Sequence, residues 1–358
     1  MVKNVGHQGD GGGESLELGL VAAYEIDLWG RIRSNVQAAR FRAESSLADY
    51  QATAVSLSAE TVRTWYQLTE GYNQLQLLND QIEINSKSLQ LMQVRFGSGQ
   101  VRGVDILRQR QLLESTRAQK ITVESRIGVL KHQLAVLTGR VPGLEYNFPY
   151  DSLPNLPPLP ETGIPLELVS RRPDIRNAFS LLQAADRDLA AALSNRYPRL
   201  SLSASATSAI SNADNLFNDW VYAIAGNLLA PVFYGGRLKA EANRTEAVKN
   251  QLLYAYGQAV LVAFREVEDA LIQEAKQTEI IDNMELQAEL ARQSYEQLRM
   301  EYFNGLGNYL DVLTAQSQEQ QLRRNLLSAR LLLLEYRIAL YRALAGSFET
   351  PKTKSDDA

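Results

Sequence analysis

The sequence predicts a mainly α-helical chain with a small β part, arranged as two internal repeats of strand, long helix, tight turn and returning helix. Three observations predict it. The runs 31–96 and 237–303 are far longer than the helices of ordinary globular domains. A stretch of strand-like alternation precedes each of them. Landmarks recur at one offset: Gly30-Arg31 with Gly236-Arg237, Gly99 with Gly305, and Asp105 with Asp311 lie 206 residues apart, and Gly139 and Gly346 lie 207 apart.

The elements follow in order. MVKNVGHQGDGGGES, residues 1–15, reads as a flexible leader; it has no apolar h-region and so carries no export signal as written. From Leu16 to Leu28 the even positions are apolar or small (Leu16, Leu18, Leu20, Ala22, Tyr24, Ile26, Leu28), whereas the odd ones include Glu17, Gly19, Glu25 and Asp27. That is a strand with one apolar face. The period changes at Trp29-Gly30-Arg31, and a helix over 31–96 would extend roughly 100 Å. No globular core can enclose such a helix. Its three-four apolar spacing (Leu47, Tyr50, Ala54, Leu57, then Leu68, Tyr72, Leu75, Ile82, Leu89, Phe96) predicts a coiled-coil seam, with Gln51, Gln67, Asn73, Gln76 and Asp80 covering the rest.

GSGQVRG turns the chain at Gly97, Gly99 and Gly103, and 104–139 runs back to close the first repeat, 16–139. A linker over 140–172 holds six of the eleven prolines between 140 and 162, then a short helical turn from Pro165 to Ser170. The second repeat, 173–347, starts with a helix from Pro173 to about Asn195, ended by Tyr197-Pro198. Leu200–Ile210 alternates Ser and Thr with apolar residues, NADN (212–215) makes a turn, and Trp220–Phe233 is a third, less regular strand. After Gly235-Gly236 come the helix 237–303, the NGLGN turn with Gly305 and Gly307, and the return 309–346; 348–358 reads as a disordered tail.

Strands of about eleven to thirteen residues suit a tilted crossing of a bilayer, and Trp29 and Trp220 stand at strand ends, as interfacial aromatics do. Hairpins joined to such strands predict a barrel of each kind, stacked end to end. Three strands cannot close a barrel, so the reading requires an oligomer.

Composition narrows the chemistry. A net charge of −4 and a pI near 5.5 give no basic field for nucleic acid. There is no cysteine, hence no disulfide and no thiolate metal site, and His7 and His132 lie in unrelated settings. HExxH, a Gly-Lys-Ser/Thr phosphate loop and GxSxG are all absent. GSGQVRG lacks dinucleotide spacing, and Glu266, Glu268 and Asp269 read as a solvated helix face. The expectation is a non-enzyme without cofactor or metal.

The stretches YEIDLWGRIRS, RRPDIRNAFSLLQAADRDLAAALSNRYPRLSLSAS, APVFYGGRLKAE and YFNGLGNYLDVLTAQ resemble the outer-membrane factor family, the TolC-like exit ducts, in the branch serving resistance-nodulation-division efflux pumps. The resemblance covers Leu16 to Phe348 with the motifs in family order. It implies a homotrimer in which a β-barrel in the outer membrane, in contact with lipid, continues into a periplasmic α-barrel. Trp29, Gly30, Gly235 and Gly236 would mark the junctions. The partners implied are a periplasmic adaptor (membrane fusion) protein and an inner-membrane resistance-nodulation-division transporter; the cargo is drugs or other small toxic compounds. The first repeat lacks counterparts of the helix 173–195 and the strand 200–210, so a signal, a lipid anchor, a helix and a strand are expected ahead of Leu16 in the intact protein.

The resemblance also assigns sites. Asp311 would line the pore constriction, with Thr314 one turn on where some members have a second aspartate. The hairpin turns Gly97, Gly99, Gly103, Gly305 and Gly307 would face the adaptor. A latch would tie Tyr302 to Asp105, with Gly307 in place of an arginine found in some members. Residues 94–111 carry Arg95, Arg102, Arg108 and Arg110 against Asp105, net +3, whereas 300–317 carry only Glu301 and Asp311, net −2; basic and acidic ends would alternate around a ring. The rival reading is a soluble periplasmic coiled-coil scaffold. It leaves the strands and Gly-Arg joints unexplained.

Overall fold

The computed structural model describes residues 16–143, 152–159, 171–210 and 220–344. The expected leader, the turn of helix at 165–170, the NADN turn, Gly346 and the tail lie outside the described residues. The elements are β1 (Leu16–Ile26), α1 (Arg31–Gly97), α2 (Gly103–Leu137), α3 (Pro173–Ser194), β2 (Arg199–Ile210), β3 (Val221–Leu229), α4 (Arg237–Phe303) and α5 (Tyr309–Leu344). Two compact units divide them: 1–48 with 174–259, and 49–173 with 260–358.

The first unit holds an antiparallel sheet in the order β1-β2-β3. Its register places Leu18, Leu20, Ala22 and Tyr24 on one face with Leu202, Ala204 and Ala206 and with Tyr222, Ile224 and Leu228. Gly19, Val21 and Ala23 share the other face with Ser201, Ser203, Ser205 and Thr207, and with Ala223, Ala225 and Asn227. The first face is open: Leu20 is 73% exposed, Tyr222 76% and Ile224 87%. β3 stops at Leu229 rather than the expected Phe233. Its last partner, Arg199, begins β2 immediately after Pro198, and Pro231 has no N–H to extend the ladder.

The strand-to-helix corner explains the tryptophan. The Asp27 carboxylate accepts the N–H groups of Ile32 (3.1 Å) and Arg33 (2.8 Å), capping α1, and Arg31 pairs with Glu25 at 2.6 Å. Trp29 Nε1–H donates to the Pro198 carbonyl at 2.8 Å and its ring stacks on Tyr197, 4.8 Å between centroids. The corner is therefore pinned to the α3–β2 connection. Gly30 (φ 74°) and Gly236 (φ 81°) take the left-handed turn that both corners need. Each of these glycine carbonyls accepts the fourth N–H onward, Ser34 at 2.8 Å and Ala240 at 3.0 Å, so the duplication holds to individual hydrogen bonds. Around them α3 packs through Ala184, Ala185, Ala191 and Ala192, and Lys249 reaches Asp186 at 2.6 Å.

In the second unit the buried line of α1 differs from the expected seam. Leu47, in the first unit, and Tyr50 and Leu57 are exposed, and Gln51, expected outside, is buried. Buried positions run Thr64, Leu68, Gly71, Gln74, Leu78, Gln81, Asn85, Met92, a three-four spacing in which half the side chains are polar. Helices lie on two sides of it. Gln74 donates to the Arg324 carbonyl (2.8 Å) and Gln81 to the Gln320 carbonyl (3.1 Å) on α5. Asn85 donates to Thr116 Oγ1 on α2 (3.1 Å) and accepts from Gln316 (2.9 Å) and Gln320 (3.0 Å). Apolar clusters alternate with this ladder: Leu68 with Ile127, Leu130 and Leu134, and Val267 and Ala270 with Leu340 and Ala343.

Glu266 is not part of a solvated face. It is half-buried and holds both Arg172 (2.7 Å) and Arg342 (3.2 Å). The linker segment 152–159 has neither helix nor strand, as its prolines require. Arg337 grips it, donating to the carbonyls of Pro157 (2.7 Å) and Pro158 (3.2 Å) while pairing with Glu274.

Candidate functional site

The turn ends of the two hairpins come together in the second unit, around a cluster of Met92, Val101, Tyr309 and Val312. Each long helix ends the same way. Gly99 N–H donates to the Phe96 carbonyl (2.9 Å) and Gln100 N–H to that of Arg95 (3.0 Å); Gly305 N–H donates to that of Tyr302 (3.1 Å) and Leu306 N–H to that of Glu301 (2.9 Å). These are Schellman terminations, and Gly99 (φ 73°) and Gly305 (φ 76°) supply their left-handed residue. Gly97 is the last residue of α1 and Gly103 the first of α2. At Gly307 an added Cβ would lie 3.3 Å from the Tyr302 nitrogen, so a side chain there would require this turn to relax by a few tenths of an ångström.

The duplicated aspartates have diverged. Both are the third residue of a returning helix, where a carboxylate favours the helix dipole. Asp105 is buried, bridged by Arg102 (3.1 and 3.3 Å) and Arg108 (3.5 Å). Asp311 is exposed and has no ion pair among the described residues; Asn308 caps its helix instead, accepting the Leu310 N–H at 3.2 Å. Thr314 shares that exposed face one turn on, its hydroxyl bonded back to the Leu310 carbonyl at 2.8 Å. Beside it, Arg108, Gln111, Ser115, Ser317, Gln318 and neighbouring leucines line a groove of about 650 Å³ between α2 and α5.

The expected bond between Tyr302 and Asp105 is not made within the chain. The Tyr302 hydroxyl faces Met92 Sδ at 3.9 Å, because Arg102 and Arg108 already occupy the carboxylate. Burial raises the Tyr302 pKa, opposed by Arg95 and aided by Asp105, and burial likewise raises that of Tyr309. Glu301 accepts from Gln297 (2.8 Å) and meets no arginine across the ends. The charged side chain that crosses between the hairpins here is Arg95, whose guanidinium carbon lies 5.5 Å from the Tyr302 ring centre and 5.2 Å from that of Phe303. Sequence reasoning also missed Tyr309, whose hydroxyl donates to Gln109 Oε1 at 2.6 Å. The only sequence signal for that pair was a tyrosine at the first position of the returning helix.

The outer membrane efflux protein family model matches residues 4–140 and 164–346. The chain belongs to the outer membrane efflux protein family. Among its relatives, the pyoverdine export outer membrane protein OpmQ of Pseudomonas aeruginosa is 31% identical over 350 residues, covering 95% of this chain and 72% of OpmQ. The solvent efflux pump outer membrane protein SrpC of Pseudomonas putida is 31% identical over 343 residues, covering 93% of this chain and 71% of SrpC. The structure is similar to that of the outer-membrane channel OprN, with a TM-score of 0.88, 28% identity, and coverage of 94% of this chain and 76% of OprN. An efflux protein of the outer membrane accounts for the sheet with one open apolar face, which a soluble coiled-coil scaffold does not. Family members are channel and efflux-duct proteins, and their long helical hairpins are the ones described above.

Proposed function

We propose that three copies of the intact protein form a passive exit duct that runs from an inner-membrane transporter and its periplasmic adaptor out through the outer membrane, with Asp311 and Thr314 at its narrow end. The observation that carries the reading is the divergence of the duplicated aspartates. One is buried among arginines; the other is left exposed, with no ion pair among the described residues. The helix dipole favours a carboxylate at this position, but with the helix end already capped by Asn308 it does not call for one left bare beside an exposed threonine. A threefold axis would make it a ring. Three carboxylates around a narrow aqueous axis focus negative potential and attract cations. The turn glycines Gly97, Gly99, Gly103, Gly305 and Gly307 form the surface offered to the adaptor, and the open apolar face of the sheet meets lipid. Nothing in this mechanism needs a reaction, a nucleotide or a metal. The cargo would be small toxic or secreted compounds, as the names of the relatives indicate for those proteins.

The test is single-channel recording in planar bilayers. Asp311→Ala should lower cation preference and weaken block by trivalent cations. Unchanged selectivity would place Asp311 off the pore, and a stable monomer by native mass spectrometry would end the duct reading.

A further inference from the structure

We propose that Arg95 is the clasp that holds the two hairpin ends of one chain together, by lying on the aromatic pair Tyr302–Phe303. The idea that loosening these ends opens the duct rests on the function proposed above; the clasp itself rests on the geometry.

Arg95 lies in the last turn of α1, where a cation favours the helix C-terminus. Its own hairpin holds it by one side-chain bond, Nε–H to Gln100 Oε1 at 3.2 Å. The guanidinium then leaves that hairpin and lies against two rings of the other. Tyr302 and Phe303 are set for it, their centroids 5.7 Å apart, and Tyr302 is backed by Tyr309 at 5.2 Å. Nη1 is buried with no hydrogen-bond acceptor. The contact across the hairpins is therefore that of the cation over the rings rather than an N–H···O bond. The other charged side chains at the ends do not cross in this way: Arg102 and Arg108 turn back to Asp105, and Glu301 turns to Gln297. At these turns rings, not carboxylates, receive the arginine that bridges the hairpins.

This assignment and a phenol–carboxylate latch predict opposite results for one substitution. Tyr302→Phe removes the hydroxyl and keeps the ring, so it abolishes a latch and spares the clasp. Arg95→Met keeps the stem and removes the cation. The chain has no cysteine, so Ser98→Cys and Leu306→Cys place spin labels on the two turns alone. Labelled chains diluted into unlabelled protein report the distance within one chain by pulsed spin resonance. Arg95→Met should shift the balance toward separated ends by roughly 2- to 30-fold. Tyr302→Phe should leave the distribution as in the parent, and Phe303→Leu added to Arg95→Met should change little more. A distribution unmoved by Arg95→Met, or ends that separate as far in Tyr302→Phe, would overturn the proposal. If the labels separate as expected while conductance in bilayers stays constant, the clasp stands and the gating role of these ends fails.

Discussion

Replacing Arg337 by Met should strongly destabilise the second unit. Arg337 and Glu274 are both almost fully buried and joined by two hydrogen bonds, 2.6 and 2.8 Å. The same guanidinium donates to the Pro157 and Pro158 carbonyls. Met fills similar volume without the charge, leaving a buried carboxylate alone. Breaking a buried pair from one side costs about 3–5 kcal/mol. At about 2–4 °C per kcal/mol for a unit of this size, the melting temperature should fall by roughly 6–20 °C. The two proline carbonyls also lose their donor, so the described linker segment should become the first site of limited proteolysis. The double substitution Arg337→Met with Glu274→Leu removes both charges and should recover most of the loss. Thermal unfolding in detergent, with mass spectrometry of the early proteolytic fragments, reads both effects. A loss below about 1 kcal/mol for Arg337→Met, or a double variant no better than the single, would refute the argument that an uncompensated charge sets the cost.

Two further outcomes follow from buried and capping groups. Tyr309→Phe strips the donor from Gln109 Oε1 inside a fully buried site, so urea unfolding should show a loss of about 1–3 kcal/mol, and no loss would mean that the amide finds another partner. At the β1–α1 corner the backbone N–H of Arg33, then that of Ile32, holds the Asp27 pKa below its ordinary value. A depressed carboxylate contributes stability above its unfolded pKa and loses it as pH falls through the folded one. Asp27→Asn should therefore unfold more easily than the parent at neutral pH, the two converging in acid; curves that stay parallel across pH would show that the carboxylate charge plays no part.

Much of the fold was legible because the duplication repeats its punctuation. Gly30 and Gly236, and Gly99 and Gly305, stand at the same offset since each occupies a left-handed position that few other residues tolerate. Helix ends came within a few residues for the same reason. The helix seam was legible only in part: Leu68, Tyr72 and Leu75 do pack against α2, but apolar spacing looks for leucines and the buried line of α1 is half Gln, Asn and Thr. A sequence does not show that a second helix will bring backbone carbonyls within reach of those amides. At the hairpin ends, charge counting separated a basic turn from an acidic one correctly. The alternation it suggests runs around a ring of chains, whereas within one chain the arginines three residues either side of Asp105 hold that carboxylate. Local ion pairs satisfied the charge first and left the aromatic rings to make the contact.

The polar seam and the aromatic ends do different work, and the difference bears on how such a duct could move. An apolar three-four seam is nearly the same after a shift of seven residues, so a long hairpin held only by leucines is weakly specified along its axis. Amides bonded to particular carbonyls are not: a shift that carries Gln74 away from the Arg324 carbonyl and Gln81 away from that of Gln320 breaks both inter-helix bonds and leaves Gln74 only Glu70 of its own helix, at 3.0 Å. A single buried asparagine fixes register in coiled coils, and here Asn85 engages α2 and α5 together. The shaft is thus held by directional bonds whose loss is costly. Near the turns the contacts change to Met92, Tyr302, Tyr309 and Arg95, a thioether, rings and a cation over them, which tolerate sliding and re-packing. Motion should concentrate there, with α1, α2 and α5 keeping their register below.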